Sequence, residues 1–187
     1  MIETALDYRR AGLCVLPAVR AEKRPAVAQW KQFQAALPGE EQLATWCPTA
    51  DALCIVCGSV SGNLEILDFD VAGEAFNAWC AKLRPGLLGR LVLEQSPSGG
   101  WHAVYRCCEP VCGNMKLAQR AGEDGRPITL IETRGEGGLF LCAPTPGYEL
   151  RQGELTDLPV LSAEEREVLL MAAWALNQYL PEPVHAP

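Results

Sequence analysis

Eight residues constrain this chain more than any others: Leu64-Glu65-Ile66-Leu67-Asp68-Phe69-Asp70-Val71. An apolar run of this length behind the turn residues Gly62-Asn63 predicts a buried strand. Strand alternation then puts Asp68 and Asp70 on one face with Leu64 and Ile66, while Leu67, Phe69 and Val71 cover the other. Two carboxylates side by side at the end of a buried strand repel each other and lose hydration unless something cationic lies between them. A divalent metal is the economical answer, and hard oxygen ligands suit Mg2+ or Mn2+. Taken alone, an Asp-x-Asp leaves that reading level with an ordinary solvated strand end.

The remaining sequence sets the frame for this strand. A chain of 187 residues, 49% apolar and 21% charged, can bury about two-thirds of its unfolded surface around its own core. Disordered tails, coiled coils and collagen-like fibres are excluded. No apolar run approaches the roughly 20 residues of a membrane span. The start, Met1-Ile2-Glu3-Thr4, lacks the basic and apolar stretches of a secretory signal. A soluble, cytoplasmic protein with no membrane partner is expected. Sixteen basic against 23 acidic residues give a net charge of −7, which excludes coating nucleic acid by bulk electrostatics and leaves room only for a local basic groove or a partner's contribution.

Nine cysteines raise the question of zinc. Cys54 and Cys57 have the spacing of a zinc half-site, but they lie in an apolar run, and residues three apart on a strand face opposite sides. Cys107, Cys108 and Cys112 have no histidine near them. Cysteine used as a small buried hydrophobe is the better reading, and no zinc is expected.

Helices are expected over 4–10, 27–33, 40–46, 74–83 and 164–179, the last with Ser162 as N-cap and Pro181 as stop. Strands are expected over 13–16, 53–57, 64–71, 91–94, 101–107, 128–133 and 139–143. Gly58-Ser59-Val60-Ser61-Gly62-Asn63 reads as the turn of a hairpin joining 53–57 to 64–71. Several hairpins and few strict βα alternations predict an α+β fold around a mostly antiparallel sheet.

Two later segments add to the aspartate pair. Ser98-Gly99-Gly100-Trp101-His102 is a small-residue turn opening a strand; glycines there let backbone amides approach an anion, and His102 stands beside it with Val104 and Arg106 on its face. Leu130-Ile131-Glu132-Thr133-Arg134-Gly135-Glu136-Gly137-Gly138 puts a third carboxylate, Glu132, into an apolar strand, with Arg134 at same-face spacing. Three carboxylates suffice to hold two metals for in-line phosphoryl transfer. The alternatives are a structural histidine and a structural Glu–Arg pair.

In this order the three segments resemble the prim-pol domains of the archaeo-eukaryotic primase superfamily: an apolar strand with Asp-x-Asp, a Ser-x-His element, and an apolar strand with a third acid. The resemblance extends to Tyr8-Arg9-Arg10-Ala11-Gly12-Leu13 through Pro17, Lys23-Arg24-Pro25, Trp30, Gly58–Gly62, Arg134–Gly138 and Pro144, covering most of residues 4–145. It implies an RRM-like catalytic sheet beside a smaller N-terminal αβ module, interleaved within residues 1–160, with the active site in the cleft between them. Residues 161–187 would then form a C-terminal helix and tail linking to a further domain. It implies two Mg2+ or Mn2+ ions on Asp68, Asp70 and Glu132, and a triphosphate contact from His102 helped by Ser98, Gly99 and Gly100. The implied activity is template-directed nucleotidyl transfer, joining an NTP or dNTP to a 3′-hydroxyl on single-stranded DNA template and primer, alongside a fused or separate helicase. Lys23, Arg24, Lys116 and Arg134 are candidate phosphate contacts, though Lys23 and Arg24 read equally well as solvated charges. This chain departs from the pattern in having an extra spacer between Ser98 and His102, and Glu where many relatives carry Asp as third acid. Two alternatives are a haloacid-dehalogenase-type phosphatase, which needs a parallel sheet, a Lys and a later acidic pair, and a non-catalytic nucleic-acid or replication-protein binding module on a primase-like fold.

Overall fold

A computed structural model describes residues 1–180. In chain order the elements are α1 (Ile2–Arg10), β1 (Cys14–Val19), β2 (Arg24–Pro25), α2 (Glu40–Trp46), β3 (Ala52–Val56), β4 (Leu64–Phe69), α3 (Phe76–Lys82), α4 (Pro85–Leu88), β5 (Val92–Gln95), β6 (Trp101–Cys107), β7 (Lys116–Ala121), β8 (Pro127–Arg134), β9 (Leu139–Cys142), β10 (Glu149–Gln152), β11 (Val160–Leu161) and α5 (Ala163–Trp174). The strands form two sheets, a small one ordered β2-β1-β3-β9 and a large one ordered β10-β5-β6-β4-β8-β7. All pairings are antiparallel except that of β11 with β6. The α+β expectation holds, and the antiparallel order removes the phosphatase alternative. Among the described residues no helix is long and apolar enough to cross a membrane.

The alternation in β4 explains the layering. Leu64 and Ile66, with Val92 and Val104 of the large sheet, pack against Leu13, Val15, Leu53, Ile55 and Phe140 of the small-sheet side. Leu67 and Phe69 pack on the opposite face against Trp79 of α3 and Leu169 of α5. The face that carries Asp68 and Asp70 is thus the one turned toward the small sheet, and the inter-sheet core ends where leucine and isoleucine give way to aspartate. Cys54 and Cys57 fall on opposite faces of β3, as alternation requires, each in a different apolar cluster. Burial pushes the Cys54 thiol up to about 12.

The expected hairpin between β3 and β4 does not form. The two strands belong to different sheets and share only a bridge between Gly58 and Leu64. Gly58 has φ +90°, and a side chain there would run into Glu136, whose Cα lies 2.9 Å from the Cβ position. Glu136 Oε2 accepts the Ser59 N–H at 2.7 Å. The Ser61 hydroxyl donates to the Val56 carbonyl at 2.6 Å and accepts the Cys14 N–H at 2.8 Å. These bonds, together with the close approach of Glu136, turn the chain out of the small sheet.

Other differences are local. The helix expected over 27–33 is a 3-10 turn at Trp30–Gln34. α5 is capped by Ser162, whose hydroxyl accepts the Glu165 N–H at 3.1 Å, but it ends at Trp174 rather than at 179. The Asn177 side chain and the Gln178 and Tyr179 amides instead bond to the backbone of Gln119 in β7. β2, β7, β10, β11 and α4 were not anticipated. Pro181 and the tail lie outside the described residues.

α5 is locked to the large sheet by charge as well as apolar contact. Glu65, fully buried, accepts two bonds from Arg166, at 2.7 and 2.8 Å, and one from the Tyr105 hydroxyl at 2.7 Å. Removing one partner of a buried pair leaves an uncompensated charge, at a cost of about 3–5 kcal/mol. Arg166→Met is expected to lower stability by that amount in urea unfolding, while the Arg166→Met/Glu65→Gln double variant recovers more than half; equal losses in both would contradict this account.

Candidate active site

Antiparallel register brings the candidate residues into one line. Glu94 of β5 is paired with His102 of β6, His102 with Asp68 of β4, Asp68 with Glu132 of β8, and Glu132 with Lys116 of β7. Directly opposed side chains on neighbouring strands have Cβ atoms about 5 Å apart. Five residues drawn from positions 68 to 132 of the chain therefore meet as one row across the sheet.

Asp70 completes the acidic end of the row. It follows the last residue of β4, and its backbone N–H is held by the Leu130 carbonyl at 3.0 Å. Oxygens of Asp68, Asp70 and Glu132 all lie within 4.8 Å of one another. Burial and the neighbouring Asp68 raise the pKa of Asp70; burial, then Asp68 and Asp70, raise that of Glu132 against the pull of Arg134. Three carboxylates this close form a set that could hold a divalent cation, and an all-oxygen set fits Mg2+ or Mn2+. Among the described residues this is the one group of three or more potential ligands. Arg134 supplies part of the missing charge, with Nη2 bonded to Glu132 Oε1 and 3.4 Å from Asp68 Oδ2.

His102 is almost fully buried. Its Nδ1 lies 2.9 Å from Glu94 Oε2 and its Nε2 3.7 Å from Asp68 Oδ1. Burial alone would discourage the charged ring, but the Glu94 bond and the charges of Asp68 and Asp70 outweigh it and the pKa is raised. The ring is boxed in by Phe140, at 5.3 Å between centroids, and Tyr148, at 6.0 Å. Burial, with Glu94 and Asp68 nearby, pushes the Tyr148 phenol up to about 12, so it remains a neutral hydroxyl.

His102 and Asp68, from the middle of the row, face a cleft of about 380 Å³ between the two sheets, within the size range of small-molecule sites, while Glu132 lies outside its lining. Asp68, Asp70, Ser96, Ser98, His102 and Arg134 line it from the large-sheet side, and Lys23, Arg24, Trp30 and Phe140 from the other. Lys23 and Arg24 thus reach the same cleft as the acids, Arg24 in an ion pair with Glu22. The other candidates stand differently. Gly99 and Gly100 are not in the lining: the Gly99 N–H is bonded to the Ser96 carbonyl at 3.0 Å. A side chain on Gly100 would come within 2.7 Å of the Phe69 carbonyl. They shape the turn that presses Ser98 and His102 against the end of β4. Lys116 is exposed beside Glu132 and also outside the lining.

Glu94, Tyr148 and Asn114 were missed from sequence. For Glu94 a signal existed: a hairpin whose tip is Pro97-Ser98-Gly99 must set Glu94 across from His102. Tyr148 and Asn114 sit in irregular segments whose approach to the cleft depends on contacts distant in the chain.

No curated protein matches the chain in sequence. A family model described as bifunctional DNA primase/polymerase, N-terminal, matches residues 5–161 of the 187. That span includes the whole row, Asp70 and both sides of the cleft. By this match over most of its length, the chain belongs to the Prim-Pol family.

Proposed function

We propose that this chain is a template-directed nucleotidyl transferase that joins an NTP or dNTP to the 3′-hydroxyl of a primer on single-stranded DNA, with its catalytic residues within residues 1–160. The observation that carries this reading is the convergence of Asp68, Asp70 and Glu132 within 4.8 Å on the same row as His102. The strand order β5-β6-β4-β8, with α3 following β4, supports an RRM-like catalytic sheet.

Asp68, Asp70 and Glu132 would hold two divalent ions, Mg2+ or Mn2+. When bound, such ions favour the deprotonated 3′-hydroxyl and neutralise charge on the α-phosphate and the departing pyrophosphate. The protein's own residues supply position and further charge. Nε2 of His102 faces the cleft, and a ring whose pKa is raised can donate from it to a triphosphate oxygen. Ser98 offers a hydroxyl beside it, and Lys23 and Arg24 bring cations from the opposite wall. Arg134, already between two acids, stands ready to share its charge with a phosphate. The local basic rim reconciles an acidic chain with a polyanionic substrate, because only the few phosphates in the cleft need neutralising.

Primer extension with labelled nucleotides in Mg2+ or Mn2+ tests the reading. Asp68→Ala/Asp70→Ala is expected to reduce incorporation by at least about 10³-fold, and chelation to abolish it. DNA binding without incorporation, unaffected by the double variant, would instead favour a non-catalytic binding module.

The raised carboxylate pKa values yield a separate expectation. Saturating Mn2+ at a hundredfold excess over Kd adds about 2.7 kcal/mol to stability, roughly 5–10 °C in Tm for a chain of this size. Asp70→Asn is expected to abolish that Mn2+-induced rise without lowering the Tm of the metal-free protein, since it removes one of three mutually repelling charges. A fall in the metal-free Tm by thermal scanning would contradict the repulsion.

A further inference from the structure

We propose that Glu94 is the positioning residue for His102: it fixes the imidazole by its Nδ1 proton, so that Nε2 is the nitrogen presented to the cleft. The inference rests on the nucleotide-binding role proposed for His102 and assigns to that role its internal support.

Glu94 is wholly inaccessible to solvent and belongs neither to the cleft lining nor to the acidic group. It therefore acts on a substrate only through another residue. A carboxylate sealed in the interior must have every strong acceptor site answered by a donor. Oε1 accepts the backbone N–H of Ala143 at 2.6 Å, and Oε2 faces His102 Nδ1 at 2.9 Å. The first donor is unambiguous, and it leaves the second oxygen to the histidine. A proton on Nδ1 satisfies the contact; a bare Nδ1 would set a lone pair against a carboxylate. Turning the ring over would bring a C–H to Glu94 and leave the buried oxygen unanswered, and Phe140 and Tyr148 hem the ring on its other sides.

The same carboxylate joins the two halves of the site. Ala143 follows β9 of the small sheet, and its carbonyl accepts the Tyr8 hydroxyl at 2.8 Å. Glu94 thus references His102 to the small-sheet wall of the cleft as well as to its own hairpin. Both of its bonds come from groups that a nucleotide would not displace.

The chain has two histidines, so a His185→Asn background leaves His102 as the only imidazole for 15N NMR. In that protein Nδ1 is expected to be protonated. In Glu94→Gln the amide has one acceptor oxygen and an N–H2 donor. With Ala143 retaining the oxygen, Nδ1 must become an acceptor, so the ring gives up its Nδ1 proton and Nε2 donates from a neutral imidazole, a weaker and less firmly oriented donor. The nucleotide kcat/KM is expected to fall about tenfold, mainly through KM, while Mn2+ affinity stays within about twofold. Tyr8→Phe, which removes the bond on the Ala143 carbonyl, should leave the ring signals and kcat/KM unchanged and so separates positioning from general support of the joint. An unprotonated Nδ1 in the Glu94 protein overturns the proposal without recourse to a variant, as do unmoved ring signals in Glu94→Gln or an equal disturbance in Tyr8→Phe. If no variant or parent incorporates nucleotide, that failure falls on the polymerase reading, and the ring measurement still decides the role of Glu94.

Discussion

Charge runs straight across the large sheet, from Glu94 through His102, Asp68 and Glu132 to Lys116, and the two acids in the middle are direct cross-strand neighbours. Like charges so placed destabilise a sheet. Their neighbours offset part of that cost, His102 on one flank and Arg134 above, while burial first, and then the neighbouring acids, raises the pKa of Asp70 and of Glu132. A loop would relax under such repulsion by moving its side chains apart. A hydrogen-bonded strand does not, because the backbone ladder sets the spacing. The large sheet therefore stores an electrostatic misfit at a defined place, which is the form in which a protein can select a cation by geometry rather than by collision.

The period-two pattern of β4 made the most important fact legible: which residues share a face. It assigned Asp68 and Asp70 to the side of Leu64 and Ile66, and it separated Cys54 from Cys57. It did not reveal which sheet a strand joins. Leu53–Cys57 and Leu64–Val71, joined by six turn-forming residues, carry every local mark of a hairpin, yet the collision that turns the chain aside comes from Glu136, more than seventy positions later. Non-local causes of this kind leave no trace in a short window. Glu65 was opaque for the same reason, since nothing in an apolar strand announces that Arg166 will arrive to meet it. Glu94 lay between these cases, because its partner is fixed by the hairpin it belongs to.

The cleft follows from the interleaving of the two sheets. The chain leaves the small sheet after β3, builds the large sheet, and returns as β9. Apolar residues between the sheets hold them together at one end, and where those residues stop, acids on one side face cations on the other. Arg106 ties the closed end, donating to the carbonyls of Ser61 at 3.0 Å and Ala11 at 2.8 Å. Ala143 ties the other, with Tyr8 on its carbonyl and Glu94 on its amide.

The Arg166–Glu65 pair has a bearing on where the folded unit stops. The family match closes at residue 161, yet the next helix buries Leu169 and Ala173, accepts the Trp79 indole N–H on the Leu169 carbonyl at 3.1 Å, and supplies the only cation that neutralises Glu65 among the residues bonded to it. A chain cut at the family boundary would expose the apolar underside of its large sheet and strand an anion within it. Evolutionary recurrence and mechanical completeness are thus different borders in this protein, and the physical one lies at least a helix further on.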